Sequence, residues 1–263
     1  MRRITSRQNP LVARYRAAAR GDAAVMLLDG VHLVADALAA HLHIGDAAVA
    51  ADVGTDRDIA ALVGRLRDAK VDVVTATAPV MAALSPVRSS SPIVALADRP
   101  AASMAQLFTT PAPLIVLAID VQDPGNLGAI VRVAEAGGAS GVIVSGTSAD
   151  PFGWKALRGS MGSALRVPLV SGGTAAALTE LRRRGCRIIA TAPRDGRSVF
   201  DVDLRTPIAI AIGSEGSGLD PALLASADER VTIPMQAPVE SLNAAVTAAL
   251  IVYEARRQRL LNS

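Results

Sequence analysis

The chain has 263 residues, 51% hydrophobic and 19% charged, so it can bury a core and form one large or two smaller domains. Aromatic residues make up 2%, which argues against stacking many bases on aromatic platforms. The single cysteine excludes a disulfide framework and a multi-cysteine zinc site, and we expect no metal. The N-terminal residues lack an apolar segment of the secretory type, and no apolar run could span a bilayer. We therefore expect a cytoplasmic protein with no membrane partner.

The formal net charge is only +3, but the arginines are unevenly placed. Residues 1–20 carry six arginines and no acidic residue, and other clusters lie at 182–187 and 256–259. Basic clusters suit contact with phosphates, although a solvated helix face explains each cluster about equally well.

Hydrophobic patterning predicts alternating helices and strands over the first hundred residues. We expect helices at 10–20, 31–40 and 56–69, and strands at 24–28, 47–51, 71–75 and 93–97. This alternation indicates a small α/β domain over residues 1–98. Prolines and small polar residues then mark 99–113 as a linker.

A second alternating series follows and indicates a C-terminal α/β domain over 114–263. Its apolar strands are continuous, which is typical of a mostly parallel sheet that is covered on both faces. Strands are predicted at 114–119, 141–144, 167–170, 187–191, 207–212 and 230–233, and helices at 127–136, from 154, at 174–184 and at 241–257.

The first candidate functional segment runs from Asp120 to Arg132, where a predicted strand enters a Pro-Gly turn and then an apolar helix. Ligands of open α/β sheets bind at such strand ends. Asn126 and Arg132 lie about 240° apart around the helix, yet a long arginine can lean toward the helix N-terminus. Arg132 is either the partner of Glu135 in an i,i+3 ion pair or a ligand for a substrate anion.

The second segment is the glycine-rich run Gly213-Ser-Glu-Gly-Ser-Gly218, which follows a predicted strand. Its glycines permit positive φ and close approach of a ligand to the backbone. The run matches neither the dinucleotide fingerprint nor the P-loop nor the serine-nucleophile turn. A plain turn with an exposed Glu215 is the alternative explanation.

The third segment joins Ile233-Pro-Met235 to Ser241-Leu-Asn243 ahead of the final helix. Ser241 is the expected N-cap of that helix. The apolar stripe of the helix is expected to form core or a subunit interface, and it consists of Leu242, Ala245, Val246, Ala249, Leu250 and Tyr253.

Together the three segments resemble the SpoU class of the SPOUT superfamily, the TrmH-like RNA ribose 2′-O-methyltransferases. Asn126, Gly128 and Arg132 match the first family motif, the run from Gly213 to Gly218 matches the second, and the segment from Ile233 to Asn243 matches the third. Two departures occur: Val133 where the family often has Thr, and Ala244-Ala245 where Val-Ser is more usual. Neither departure removes a residue to which we assign a chemical role.

The front of the chain is similar to the substrate-binding domain that precedes many SpoU enzymes and that looks like small α/β ribosomal proteins. The similarity rests on residues 6–12 and 27–34, with Asp29 where Glu is commoner, and residues 153–168 resemble the family's segment between motifs. This resemblance implies RNA contacts, which we assign to Arg7, Arg14, Arg16, Lys155 and Arg158.

The resemblance implies a small α/β ribosomal-protein-like domain that is followed in the sequence by an α/β trefoil-knot methyltransferase domain. In this knot the C-terminal helix is threaded through a loop. It also implies S-adenosylmethionine as cofactor and a homodimer whose active sites are completed by both subunits. The family positions assign the cofactor to Gly213, Ser214, Ile233, Met235 and Leu242, with Thr191 as a further contributor.

The implied reaction is methyl transfer to a ribose 2′-hydroxyl of structured RNA, with ribosomal RNA favoured. Arg132 is assigned to the reacting centre, either as the base or as the group that fixes the 2′-oxygen while an RNA phosphate relays the proton. Asn126 and Glu215 would orient it, and Ser241 and Asn243 would bind the target ribose or its phosphate.

Three alternatives stay open on the sequence: a transfer-RNA ribose methyltransferase, a non-catalytic RNA-binding protein with a degenerate transferase domain, and a nucleotide-binding oxidoreductase. The oxidoreductase lacks its third glycine and the acidic residue about 20 positions later.

Overall fold

The computed structural model describes residues 1–21, 24–53 and 56–261, which form two compact units. The N-terminal unit comprises Met1–Pro100 and Phe152–Arg166, and the C-terminal unit comprises Ala101–Pro151 and Val167–Ser263. None of the described helices is long and apolar enough to cross a membrane.

Helices and strands alternate along both units. The described strands are β1 (Arg3–Ile4), β2 (Val25–Asp29), β3 (Ile44–Ala50), β4 (Asp72–Ala76), β5 (Ile93–Asp98), β6 (Leu114–Ile119), β7 (Gly141–Ser145), β8 (Leu169–Gly172), β9 (Arg187–Thr191), β10 (Arg197–Ser198), β11 (Ile208–Ile212) and β12 (Glu229–Thr232). The described α-helices are α1 (Pro10–Arg20), α2 (Val31–Ala39), α3 (Arg57–Asp68), α4 (Ala78–Leu84), α5 (Pro124–Ala136), α6 (Trp154–Ser160), α7 (Thr174–Arg183), α8 (Pro221–Ser226) and α9 (Ala244–Leu260).

The N-terminal unit is built on a mixed sheet with the strand order β1-β4-β3-β5-β2 among the described residues. Strands β1, β4 and β3 are parallel, and β5 runs antiparallel to both β3 and β2. Helix α1 begins where the sequence predicts, because Pro10 occupies its first turn and the Asn9 side chain accepts the N–H of Leu11. Its inner face, with Tyr15 fully buried, packs into the core of this unit.

Helix α6 belongs to the N-terminal unit, although the sequence analysis assigned its residues to the C-terminal domain. Trp154 packs against the same core as Tyr15 of α1. The guanidinium of Arg166 also binds Asp36 of α2, with 3.2 Å between Nη1 and Oδ2. The segment from Phe152 to Arg166 is therefore held by contacts with residues that precede it by more than a hundred positions.

The C-terminal unit is built on a parallel sheet with the order β10-β12-β9-β11-β6-β7-β8 among the described residues. Every residue of β6, β7 and β11 is buried, as expected for parallel strands with helices on both faces. The prediction of an α/β chain with a mostly parallel C-terminal sheet is confirmed. In the region predicted as linker, Met104–Phe108 form a 3₁₀ helix whose Leu107 is fully buried in this core.

The final helix begins at Ala244, three residues later than predicted, and its N-cap is Asn243 rather than Ser241. The Oδ1 atom of Asn243 accepts the backbone N–H groups of Ala245 and Val246, at 2.9 and 3.3 Å. The prediction of Ser241 as the cap was wrong, because asparagine caps a helix as well as serine does. Ser241 lies in the irregular segment before the helix.

Candidate active site

The second and third motif segments line a cavity of about 240 Å³ in the C-terminal unit. The carboxyl ends of the parallel strands β9, β11 and β12 lead into its walls, at the sheet edge where such folds bind ligands. Apolar side chains, including Leu219, Val231 and Ile251, form part of its surface. The residues that the sequence analysis assigned to the cofactor all line it: Thr191, Gly213, Ser214, Ile233, Met235 and Leu242.

The glycine-rich loop folds back on itself along one wall of this cavity. The backbone N–H of Gly218 donates to the carbonyl oxygen of Ser214 at 3.1 Å, and Gly218 has φ of 68°. A Cβ atom on Gly213 would lie 2.4 Å from the backbone carbon of Gly218. The loop therefore needs glycine at both ends, which leaves its backbone open toward the cavity.

A chain of hydrogen bonds joins one polar side chain from each of the three motifs. The Nδ2 atom of Asn126 donates to Oε1 of Glu215 at 2.5 Å. The Nδ2 atom of Asn243 donates to Oδ1 of Asn126 at 2.9 Å. These residues are separated by 89 and 117 positions, so only the fold brings them together. We call Glu215, Asn126 and Asn243 the polar relay.

The relay fixes the orientation of both amides. The Nδ2 side of Asn126 faces the carboxylate of Glu215, and its oxygen faces the Nδ2 atom of Asn243. The oxygen of Asn243 is already occupied by the start of α9. One amide hydrogen on each asparagine and the second carboxylate oxygen of Glu215 are not used within the relay and can face a ligand.

Asp123, which the sequence analysis did not single out, fixes the backbone of Asn126. It is the N-cap of α5, and its Oδ1 atom accepts the N–H of Asn126 at 2.8 Å. An aspartate directly before a proline at the first helical position is a sequence signal that could have identified this cap.

Arg132 lies on the exposed side of α5, almost two turns beyond Asn126. Among the described residues it makes neither a hydrogen bond nor an ion pair, so the i,i+3 pair with Glu135, which the sequence left open as an alternative, does not form. Its guanidinium is therefore available for a ligand. Ser241 lines the cavity and is exposed.

The five side chains assigned to RNA are all exposed and all belong to the N-terminal unit: Arg7, Arg14, Arg16, Lys155 and Arg158. Arg14 differs from the others because its Nη2 atom lies 3.0 Å from Oδ2 of Asp46. The Asp46 side chain is only 5% exposed, and its Oδ1 atom has no hydrogen-bond partner in the part of the chain that the structure describes. Burial raises the pKa of Asp46 above its ordinary value of 3.8, although Tyr15 and Arg14 act in the opposite direction.

The described residues contain no cluster of three or more His, Cys, Asp or Glu side chains that could hold a metal ion.

Sequence comparison agrees with the motifs. The sequence model of the SpoU rRNA Methylase family matches residues 113–253, more than half of the chain. The chain belongs to the SpoU family. An uncharacterized tRNA/rRNA methyltransferase of Synechocystis is 33% identical over 97% of this chain and 94% of that protein. The 23S rRNA (guanosine(2553)-2′-O)-methyltransferase RlmP of Bacillus subtilis is 39% identical over 54% of this chain and 57% of that protein.

Solved structures resemble this SpoU chain over nearly its whole length. The SpoU methyltransferase AviRb of Streptomyces viridochromogenes, in complex with S-adenosylmethionine, has a TM-score of 0.87 at 28% identity, covering 96% of this chain and 99% of that one. An rRNA methyltransferase of Sinorhizobium meliloti, also bound to S-adenosylmethionine, has a TM-score of 0.87 at 26% identity over 97% of both chains.

Proposed function

We propose that this SpoU protein transfers a methyl group from S-adenosylmethionine to a ribose 2′-hydroxyl of ribosomal RNA. The observation that carries the proposal is the polar relay, which joins all three family motifs beside the cavity. The 23S rRNA specificity in the name of RlmP supports ribosomal RNA as the substrate class. The cofactor complexes of AviRb and of the Sinorhizobium enzyme support the methyl donor.

The cavity suits S-adenosylmethionine by the chemistry of its walls. Ile233 and Leu242 supply apolar surface for a purine ring, and Thr191 and Ser214 add polar hydroxyl groups to the lining. Gly213 and Gly218 place no side chain at either end of the loop, and a Cβ atom at Gly213 would clash with the backbone of Gly218. These residues would hold the cofactor.

When bound, the cofactor supplies a methyl group on a positively charged sulfur. The 2′-hydroxyl is weakly acidic, so it must lose its proton as it attacks. Because Arg132 is exposed and a guanidinium is a poor base, we assign it the positioning role: the guanidinium fixes the 2′-oxygen, and an RNA phosphate takes the proton.

The relay orients the ribose. Glu215 and Asn126 hold each other in one geometry, and the free amide hydrogen of Asn243 together with the Ser241 hydroxyl bind the ribose or its phosphate. Among the described residues, the Ser241 hydroxyl makes no hydrogen bond within the protein.

The N-terminal unit binds the RNA. Its exposed basic side chains on and before α1 and on α6 supply phosphate contacts, which fix the position of the RNA without reading its sequence. The domain boundaries follow the compact units, so the RNA-binding unit comprises 1–100 together with 152–166.

The active form is a homodimer. Val246, Leu250 and Tyr253 lie at i, i+4 and i+7 on α9, and each is between 44% and 50% exposed. Exposed apolar side chains at this spacing form one stripe, and a second copy of the chain would cover it.

A transfer-RNA ribose methyltransferase is the second candidate, because the Synechocystis relative that matches almost end to end carries a name with both RNA classes. The test is incorporation of labelled methyl groups into 23S rRNA, 16S rRNA and transfer RNA, followed by mapping of 2′-O-methyl sites in total RNA with and without the protein. We expect one new site in ribosomal RNA. Methylation of transfer RNA alone would favour the second candidate, and RNA binding without methylation would favour a degenerate transferase.

A further inference from the structure

Asp120 is the first residue after β6, and its backbone has φ of 56°. This left-handed region disfavours most side chains, although aspartate and asparagine tolerate it. Its Oδ1 atom accepts two hydrogen bonds from Thr147, from the backbone N–H at 2.7 Å and from the hydroxyl at 2.9 Å. The unusual conformation thus aims the carboxylate at the loop that follows the neighbouring strand β7.

The loop after β7 is shaped to receive this carboxylate. Gly146 has φ of 65°, and a Cβ atom there would lie 2.2 Å from Oδ1 of Asp120. The adjacent residue is tied in the same way: the N–H of Val121 donates to Oγ of Ser148 at 3.0 Å, and the N–H of Ala149 donates to the carbonyl of Val121 at 2.9 Å. Four hydrogen bonds therefore clamp the start of one loop to the other.

This clamp lies at the start of the loop between β6 and α5, only a few residues before Asn126. Beyond Val121, the Nε2 atom of Gln122 also donates to Oγ1 of Thr147 at 3.4 Å, and Asp123 then caps α5 and fixes the N–H of Asn126. In the sheet, β6 lies between β11 and β7. The loop after β11 supplies Glu215, which holds the Asn126 side chain, while the loop after β7 supplies the clamp that holds the approach to it.

We propose that Asp120 is a positioning residue for methyl transfer, acting through Asn126 by fixing the loop between β6 and α5. The proposal rests on the proposed function of the relay. A displacement of about 1 Å in a reacting geometry can cost on the order of a hundredfold in rate, so a loosened loop should lower kcat.

The test compares Asp120→Ala and Asp120→Asn with the wild-type chain, using labelled S-adenosylmethionine and a 23S rRNA transcript. For Asp120→Ala we expect kcat to fall by at least about tenfold, while the Kd of S-adenosylmethionine stays within about twofold because Asp120 does not line the cavity. Asp120→Asn keeps an acceptor oxygen and tolerates the positive φ, so it should recover most of kcat.

Asp228→Ala is the matched control, because the Asp228 carboxylate also accepts a backbone N–H, that of Ile188 at 2.7 Å, but at the start of β9. It should leave kcat unchanged. In an Asn126→Ala background, Asp120→Ala should have little further effect on kcat. Full kcat in Asp120→Ala, or an undiminished effect in the Asn126→Ala background, would overturn the proposal.

Hydrogen exchange separates this proposal from the proposed function. The backbone amide of Asn126, which is bonded to Asp123, should exchange at least about tenfold faster in Asp120→Ala than in the wild-type chain. An unchanged exchange rate would overturn the positioning role whether or not the chain methylates RNA. A wild-type chain that transfers no methyl group would instead contradict the proposed function, while faster exchange would still support the role of Asp120 in fixing the loop.

Discussion

Arg132 is a charged side chain on a helix whose inner face is apolar, and it has no partner among the described residues. In its proposed role Arg132 fixes the 2′-oxygen, so Arg132→Ala should abolish methyl transfer, while the Kd of S-adenosylmethionine should stay the same. Arg132→Lys should also be poor, since an ammonium cannot reproduce the planar fork. Single-turnover rates and equilibrium cofactor binding measure both effects, and more than a tenth of wild-type turnover in either variant would refute the role.

Asp46 leads to a prediction on the pH dependence of stability. Its folded pKa is raised, chiefly by burial, so between its ordinary pKa of 3.8 and the folded pKa the native state holds a proton that the unfolded chain has lost. The contribution of Asp46 to stability is thus fully present below 3.8 and is lost as the pH rises through the folded pKa. Besides Arg14 and Tyr15, Asp72 on the neighbouring strand β4 acts on this carboxyl.

Asp46→Asn removes that titration and serves as the reference. The melting temperature of the wild-type chain relative to Asp46→Asn should fall as the pH rises from about 4 and then level off above the folded pKa. Asp68→Asn, which removes an exposed carboxylate at the end of α3 that is not among the groups acting on Asp46, is the control and should show no comparable trend. A relative melting temperature that rises with pH would show that the Arg14 ion pair outweighs desolvation.

Single residues also mark what the sequence could and could not predict. The positions proposed for the cofactor come from motif matching, and the fold gathers all of them around one cavity. Motif matching found Asn243 but not its capping role, and it gave Asp120 no role, because both roles depend on hydrogen bonds with backbone groups whose position only the folded chain defines. The pairing of Arg14 with Asp46 is equally invisible, since the two residues lie on different elements.

Strong local sequence patterns were sufficient to predict the bounds of helices and strands, whereas weak patterns were not. The bounds of α1, β6 and β9 match their predicted ranges, because a capped proline start or a continuous apolar run defines each of them. The sequence analysis missed α4 and α8, which span seven and six residues, and the two-residue strands β1 and β10. Such short elements are specified by their partners in the fold rather than by periodicity. The threading of α9 stays a prediction of the family resemblance.

Two arginines of helix α1, Arg14 and Arg16, can be compared for their contributions to RNA binding. Arg16 is exposed and makes no ion pair among the described residues, whereas Arg14 is held by Asp46. If both face RNA, Arg16→Ala should lower the slope of log K against log salt by roughly 0.7–0.9, the value of one phosphate contact, and Arg14→Ala should lower it less. Binding of a 23S rRNA transcript across salt concentrations measures the slopes. Equal slopes in the wild-type chain and Arg16→Ala would mean that this face of α1 is merely solvated.

The oligomeric state of the protein depends on what covers the exposed stripe of α9. The predicted stripe divides in the structure: Ala245 is buried within the chain, whereas Val246, Leu250 and Tyr253 are exposed. An intrachain core therefore does not explain the exposed residues, and the fold does not require them to be apolar. Full burial of one such side chain at an interface would contribute about 1.5–3 kcal/mol, so the three together could hold two subunits.

In the proposed homodimer both subunits would complete the site, so Leu250→Glu should dissociate the dimer and remove methyl transfer together, while the chain stays folded. Sedimentation velocity gives the oligomeric state, and circular dichroism on the same sample gives the helix content. Leu261→Glu is the matched control, since Leu261 is also exposed but lies beyond the last residue of α9. It should remain dimeric and active. A wild-type chain that sediments as a fully active monomer would contradict both the dimer and the shared active site, and an unfolded Leu250→Glu would mean that the exposed stripe stabilises the subunit itself.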